Sequence, residues 1–426
     1  MNKEFDRRAV WTPPPRPEWL AKFNQIGQMM DIKSVISLSS ESLMGEAMRN
    51  TGLSDFGADT RWIKHFEKLL EAIETEGKLT PFGRLLTRSD FLIYLEARLK
   101  ITEEYRLHPE IENEVIKEPV FIVGFGRSGT TILQEVLSHD PQFRSVTKWE
   151  SLFPVPVPEK ATYHTDPRIQ KAQDLADVVH EASPEWATMH AWAGNLPVED
   201  IEFTYPAFLS EVWATAFSVP SYEKYFAEQD CREHFEWHKR TLKLLQWKYK
   251  GKHWLLKNPT HLPRIPELLE IYPDAKFIIA HRDPIASNDS VANVLGVILY
   301  WRTDDPWGGG VLDEWLLADE RAALWGRVID WIETGIIKKG AFANFIYQKY
   351  MEDPMGMTEK IYRDLNLDID PAVFKAMNDH LQARHKSTHG NSQKYKKTGA
   401  EDPIAISERA KYKRYQEYFG VPNEPR

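Results

Sequence analysis

Cysteine is nearly missing from this chain. Cys231 stands alone among 426 residues, which excludes an intrachain disulfide and fits a reducing compartment. Long apolar runs are missing too: no stretch approaches the roughly 20 residues a membrane-spanning helix needs. The opening residues Met1 to Arg8 include acidic side chains and have no apolar run behind them, so nothing there reads as a secretory signal. There is no basic excess either. Lys and Arg number 54 against 63 Asp and Glu, a net charge of −9, which argues against a nucleic-acid partner. Any polyanionic ligand must therefore be met by a local cluster of cations. Internal repeats and low-complexity tracts are also absent. The expectation is a soluble, cytoplasmic enzyme without integral membrane association, and hydrophobic residues at 42% give it ample material for a core.

The most informative stretch that is present runs Pro119-Val-Phe-Ile-Val-Gly-Phe-Gly-Arg-Ser-Gly-Thr-Thr131. It reads as a buried strand, a tight glycine loop and a helix start. Gly124 and Gly129 have the spacing of a phosphate-cradling loop, but Thr130 stands where the nucleotide-hydrolase version carries lysine. Glycines let backbone N–H groups approach an anion, and the helix that follows points its positive end at it. Without the lysine, a γ-phosphate is not the expected guest. Arg127, inside the loop, offers a planar fork suited to phosphate or sulfate.

Two further apolar runs end in cations: Trp254-Leu-Leu256 at Lys257, and Phe277-Ile-Ile-Ala280 at His281-Arg282. Runs of this kind suit parallel strands covered by helices on both faces, with ligands beyond their carboxyl ends. Arg127, Lys257 and Arg282 then share one edge. The sequence predicts an α/β fold, a three-layer P-loop-type parallel sheet flanked by helices. Residues 1–116 form a helical N-terminal extension, with Pro13 to Pro17 extended and helical stripes at Trp62, Phe66, Leu69 and Leu70 and at Phe91, Leu92, Leu95 and Leu99. Residues 117–426 form the α/β domain, with a helical insertion at about 155–250 on the substrate side. Trp325, Val328, Ile329, Ile332 and Ile336 predict a later helix.

With these motifs in view, the chain resembles the PAPS-dependent sulfotransferases (PAPS is 3′-phosphoadenosine-5′-phosphosulfate). Gly126-Arg-Ser-Gly-Thr-Thr131 is similar to that family's loop for the 5′-phosphosulfate. His281-Arg-Asp-Pro284, with Ser290 after it, is similar to its 3′-phosphate site. Leu256-Lys-Asn-Pro-Thr-His-Leu262 and Tyr272-Pro-Asp-Ala-Lys-Phe277 resemble the bacterial branch whose core is shared with protein-tyrosine sulfotransferases. The resemblance implies a PAPS-dependent sulfotransferase that needs no metal and acts on a hydroxyl of a small or medium-sized acceptor. Gly126, Arg127, Ser128, Gly129, Thr130 and Thr131 would hold the 5′ end of the donor, and Arg282 and Ser290 the 3′-phosphate. A basic cluster containing Tyr395 and Lys397 is the late candidate for a further contact.

Sulfuryl transfer is an in-line displacement in which the protein positions the groups and stabilises developing charge. Lys257 would meet the leaving oxygen and Arg127 the sulfuryl oxygens. The resemblance puts a glutamate base at roughly Glu150. His190, ahead of the acidic run Glu199-Asp200-Glu202, is the competing base, because neutral imidazole accepts protons near pH 7. Two other readings stay open. A P-loop kinase-like phosphoryl transferase would need a loop lysine and an acidic magnesium ligand after a strand. A non-catalytic PAPS or nucleotide binder would bind without turnover.

Overall fold

The computed structural model describes residues 11–189, 192–308, 316–387 and 398–425. At its centre lie five parallel strands: β1 (Val120–Gly124), β2 (Phe143–Ser145), β3 (His253–Lys257), β4 (Lys276–His281) and β5 (Phe342–Ile346). Their order across the sheet is β2-β3-β1-β4-β5. β1 is therefore the middle strand, paired on one side with β3 (Ile122 opposite Lys257) and on the other with β4 (Gly124 opposite Ala280). The chain reverses its winding direction here, and such a switch point opens a crevice beyond the strand ends. β1, β3 and β4 are the three runs legible in the sequence. β2 and β5 were not anticipated: β2 is three residues long, and β5 interrupts its apolar run with Asn344.

Strand side chains alternate between faces. Phe121, Val123, Leu256, Phe277 and Ile279 enter one core, while Val120, Ile122, Leu255, Ile278 and Ala280 enter another on the opposite face. Burial on both faces explains why these strands read as continuous apolar runs.

Helices cover both faces and extend beyond them. Along the N-terminal part run α1 (Glu18–Gln28), α2 (Arg61–Glu76) and α3 (Pro81–Leu107). α3 starts where its sequence says it should, with Thr80 capping the Gly83 N–H at 3.0 Å and Pro81 in the first turn. A side chain on Gly83 would meet the Arg302 carbonyl at 2.1 Å, so glycine is what lets the start of α3 dock there. After β1 comes α4 (Thr130–Leu137), followed by α5 (Lys148–Leu152) and, inside the insertion, α6 (Arg168–Ala182) and α7 (Arg232–Lys248). α8 (Pro284–Tyr300), α9 (Ala318–Glu333) and α10 (Lys413–Phe419) complete the elements that matter here.

One sequence expectation changes. The apolar stripe starting at Trp325 ends with α9 at Glu333, and Ile336 lies beyond it, 45% exposed, after Gly335 turns the backbone to φ 78°. The N-terminal helices also pack largely on the insertion: Phe66, Leu69, Phe91, Leu95 and Leu99 share a core with Phe208, Trp213, Phe217 and Tyr222. Among the described residues no helix is long and apolar enough to cross a membrane.

Candidate active site

The glycine loop is shaped by what presses against it. Gly124 has φ 146°, and a Cβ there would sit 2.4 Å from the Ala280 carbonyl on β4. Gly129, at φ 88°, caps α4, and a side chain would strike the Tyr347 ring at 2.5 Å. Between them Arg127 is itself left-handed at φ 67°, a conformation that costs a non-glycine residue about 1–2 kcal/mol. Neighbours hold it there. Arg282 Nη1 donates to the Arg127 carbonyl at 2.7 Å, and Arg127 Nε donates to Ser290 Oγ at 3.0 Å. Ser128 Oγ donates to the Phe125 carbonyl (2.6 Å), and Ser287 on α8 donates to the Gly126 carbonyl (2.8 Å). Gly126, Arg127, Ser128, Gly129, Thr130, Thr131, Arg282 and Ser290 thus form one cluster at the switch point.

Arg282 lies over the Tyr347 ring at 4.4 Å and grips the Glu424 carboxylate with two prongs, Nε at 2.5 Å and Nη2 at 2.9 Å. The neighbouring Asp283 caps α8 and accepts from Arg409 and from the Glu424 N–H. His281 is structural: it bonds Asn344 at 3.0 Å and stacks on Phe419, and burial pushes its imidazole down to about 3, keeping it neutral.

Lys257, at the end of β3, is buried, and its Nζ donates to Glu199 Oε1 at 2.8 Å. Glu199 remains 35% exposed and lines the same cavity as Arg127. Behind this pair lies a buried network, in which Asp200 Oδ1 has no hydrogen-bond partner. Asp200 Oδ2 accepts from His238 Nε2 (3.0 Å) and His261 Nε2 (2.7 Å). The two Nδ1 atoms face the Tyr272 hydroxyl at 2.7 Å and the Asn258 amide at 3.3 Å. Burial opposes ionising Asp200, but the two histidines outweigh it and hold the carboxyl well below its usual range. Asp200, His238 and His261 are close enough to ligate a metal, yet this pattern occupies both nitrogens of each ring. It serves to fix the Asn258–His261 turn after Lys257.

Glu150 is a correction. It is fully buried and does not line the cavity. Its Oε1 accepts from Arg144 at 2.5 Å, and its Oε2 accepts from the Thr147 N–H (3.2 Å), the Thr147 hydroxyl (2.9 Å) and the Tyr163 hydroxyl (2.7 Å). This is the capping box of α5 welded to a buried ion pair. Both oxygens are engaged in structure, Oε2 by three donors and Oε1 by Arg144, and neither faces the cavity. Glu150→Ala is expected to strand Arg144 and cost about 3–5 kcal/mol of stability, read as a large fall in denaturation midpoint. His190, Tyr395 and Lys397 lie outside the described residues.

The cavity encloses about 1290 Å³, more than the roughly 300–1,000 Å³ of an ordinary small-molecule pocket. Its lining includes the glycine loop with Asn258 and Arg282, and the aromatic side chains Tyr94, Trp186, Trp192, Trp213 and Trp301. The insertion supplies Trp186, Trp192 and Trp213 to that lining. The start of α5 adds a lysine that sequence reading passed over: Lys148 sits over the Trp192 ring at 4.1 Å and pairs with Glu202 at 2.8 Å. Glu199 was visible only as part of an acidic run; its contact with Lys257 spans 58 residues and has no local signature.

A family model described as the sulfotransferase family matches residues 119–371. The omega-hydroxy-beta-dihydromenaquinone-9 sulfotransferases Stf3 of Mycobacterium tuberculosis and Mycobacterium bovis are each 29% identical to the chain over 290 residues, covering 65% of it and 71% of the relative. Among solved structures, sulfotransferase STF9 from Mycobacterium avium superposes with a TM-score of 0.74 at 24% identity, covering 91% of this chain and 98% of that one. STF1 from Mycobacterium tuberculosis gives 0.71 at 24% identity, covering 89% and 98%. These two likenesses speak for the fold.

Proposed function

The chain belongs to the sulfotransferase family, and on that premise we propose that it transfers the sulfuryl group of PAPS to a hydroxyl of an acceptor held in the cavity. The products are a sulfate ester and adenosine 3′,5′-bisphosphate. The observation that carries this reading is the cluster at the switch point, where Arg127, Arg282 and Ser290 are joined by direct hydrogen bonds around a lysine-free glycine loop.

In this reading the loop N–H groups and the α4 N-terminus hold the 5′-phosphate, helped by Thr130 and Thr131. Arg127 faces the sulfuryl oxygens. Arg282 and Ser290 take the 3′-phosphate, which displaces the Glu424 carboxylate from the Arg282 fork. The acceptor oxygen attacks sulfur, its proton passes to a base, and the sulfur–oxygen bond to the nucleotide breaks with its electrons going to the leaving phosphate. Lys257 meets the charge that appears there. Glu199 takes the role first given to Glu150, because it lines the cavity and touches Lys257. The apolar cavity walls, and a relative named for a hydroxylated menaquinone, favour an acceptor with an apolar body.

The test is to incubate the purified protein with PAPS carrying radiolabelled sulfur and a metabolite extract, with EDTA present. Label should move to an organic product as adenosine 3′,5′-bisphosphate accumulates. Release of label as free sulfate only, or a requirement for ATP and magnesium, would remove the reading and favour a phosphoryl transferase.

Arg282→Ala gives a sharper check. A charge-assisted contact contributes about 1.5–3 kcal/mol, so the variant should bind PAPS roughly ten- to a hundredfold more weakly. Its affinity for adenosine 5′-phosphosulfate, which lacks the 3′-phosphate, should fall much less, by only what the lost contact with the Arg127 carbonyl costs the loop. Equal losses for both ligands in calorimetry would take the 3′-phosphate away from Arg282.

A further inference from the structure

α1 faces two ways. Leu20, Asn24 and Gly27 point inward. Asn24 Oδ1 accepts the Phe82 N–H at 2.9 Å, and the bare Gly27 lets the Pro81 ring approach where a Cβ would lie 2.5 Å from it. The helix is thus fixed to the start of α3. Its outer stripe should be polar in an ordinary surface helix, but it carries Trp19 (44% exposed), Phe23 (37%) and Ile26 (52%), continued by Met29 (83%) and Met30 (55%). Lys22 is exposed and sits at helical spacing from Trp19 and Ile26.

This stripe continues into the cavity. Trp19 and Phe23 pack edge-on against Phe82 at 5.7 and 6.2 Å, and Phe82 lines the cavity. Leu85 on α3 and Val178 on α6 also line it, and they are 41% and 44% exposed. The apolar exterior and the apolar interior therefore meet at one rim.

We propose that the outer face of α1, with Leu85 and Val178 at the rim, is a peripheral bilayer-docking surface through which an apolar alcohol passes from the membrane into the cavity. A single helix with Trp, Phe, Ile and Met outward and a lysine among them matches what lies flat in the headgroup boundary, buried about 5–10 Å, with the lysine stem reaching back to the headgroups. A bilayer also explains why the patch runs into the cavity: a hydrophobic alcohol moves from lipid to protein without crossing water. The substrate half of the proposal rests on the sulfotransfer reading, whereas the docking half does not.

The full chain is sedimented with vesicles of phosphatidylcholine and phosphatidylglycerol, beside the triple variant Phe23→Ser, Ile26→Ser, Met30→Ser and the single variant Met30→Asp. Wild type should sediment. The triple variant should bind about tenfold more weakly or worse, given the apolar area removed, and Met30→Asp should lose much of the binding without touching the fold. Sulfation of farnesol carried in the vesicles should fall in parallel, while sulfation of hexanol in vesicle-free buffer stays unchanged. Sedimentation of the variants at wild-type levels, or no sedimentation of wild type, overturns the docking surface. So does a wild-type dimer in analytical ultracentrifugation that the triple variant splits, because the face would then join two copies. If wild type sediments but sulfates neither alcohol, docking stands and the passage of an alcohol acceptor is overturned.

Discussion

Lys257→Ala is expected to lower kcat by about 10²–10³-fold, the usual cost of removing one group that stabilises charge developing in a transition state. The Nζ lies on a buried side chain, anchored at the end of β3 and bonded to Glu199 at 2.8 Å. In the proposed reaction its interaction strengthens as negative charge reaches the leaving oxygen, so the loss should fall on kcat much more than on the KM for PAPS. Structural damage is separable. Glu199 is partly exposed, so water can satisfy it once the lysine is gone. The space left by the buried stem lowers the denaturation midpoint. Lys257→Met, which fills that space without the charge, should show the same loss of kcat. A variant that binds PAPS far more weakly with kcat unchanged would make Lys257 a donor-binding residue and sink the leaving-group role.

Glu199→Gln should be the second severe lesion, lowering kcat by about 10²–10⁴-fold, the range for a lost general base. The amide oxygen can still accept from Lys257, so the local geometry and PAPS affinity should survive. That sets it apart from Glu150→Gln, which disturbs the buried Arg144 pair and the α5 cap and should show in stability before rate. If Glu199→Gln keeps wild-type turnover and the rate profile of the unmodified protein falls below about pH 6.5, as a free imidazole would impose, the base is His190.

Much of the fold was legible because its signals are local. A strand buried on both faces writes itself as an apolar run, and Val120–Gly124, His253–Lys257 and Lys276–His281 all do so. Gly124 and Gly129 are legible from their spacing in the loop, although Ala280 and Tyr347, which press against them, are distant in sequence. Arg127, Lys257 and Arg282 follow from strand ends: in a parallel sheet, whatever ends a strand shares an edge with whatever ends its neighbours. β2 was missed because three residues are too few to establish a period, and β5 because its burial alternates around Asn344.

Partner choice was beyond the sequence. Glu150 and Glu199 are chemically the same side chain; Thr147, three residues before Glu150, is the local mark of a capping box, but nothing near Glu199 marks it as a cavity carboxylate. Arg144 and Tyr163 close around Glu150, while Lys257 reaches Glu199 from 58 residues away. The same holds for α1: the exposed face through Trp19, Phe23 and Ile26 and the inward one through Leu20 and Gly27 both look like core in sequence, and docking onto Pro81 and Phe82 decides which is buried. The sequence by itself determined the three central strands, the loop and the edge on which three cations stand, since backbone sterics and strand burial are short-range. Tertiary structure alone decided which carboxylate is spent on folding and which faces the cavity, because burial and pairing depend on segments that meet only when the chain closes.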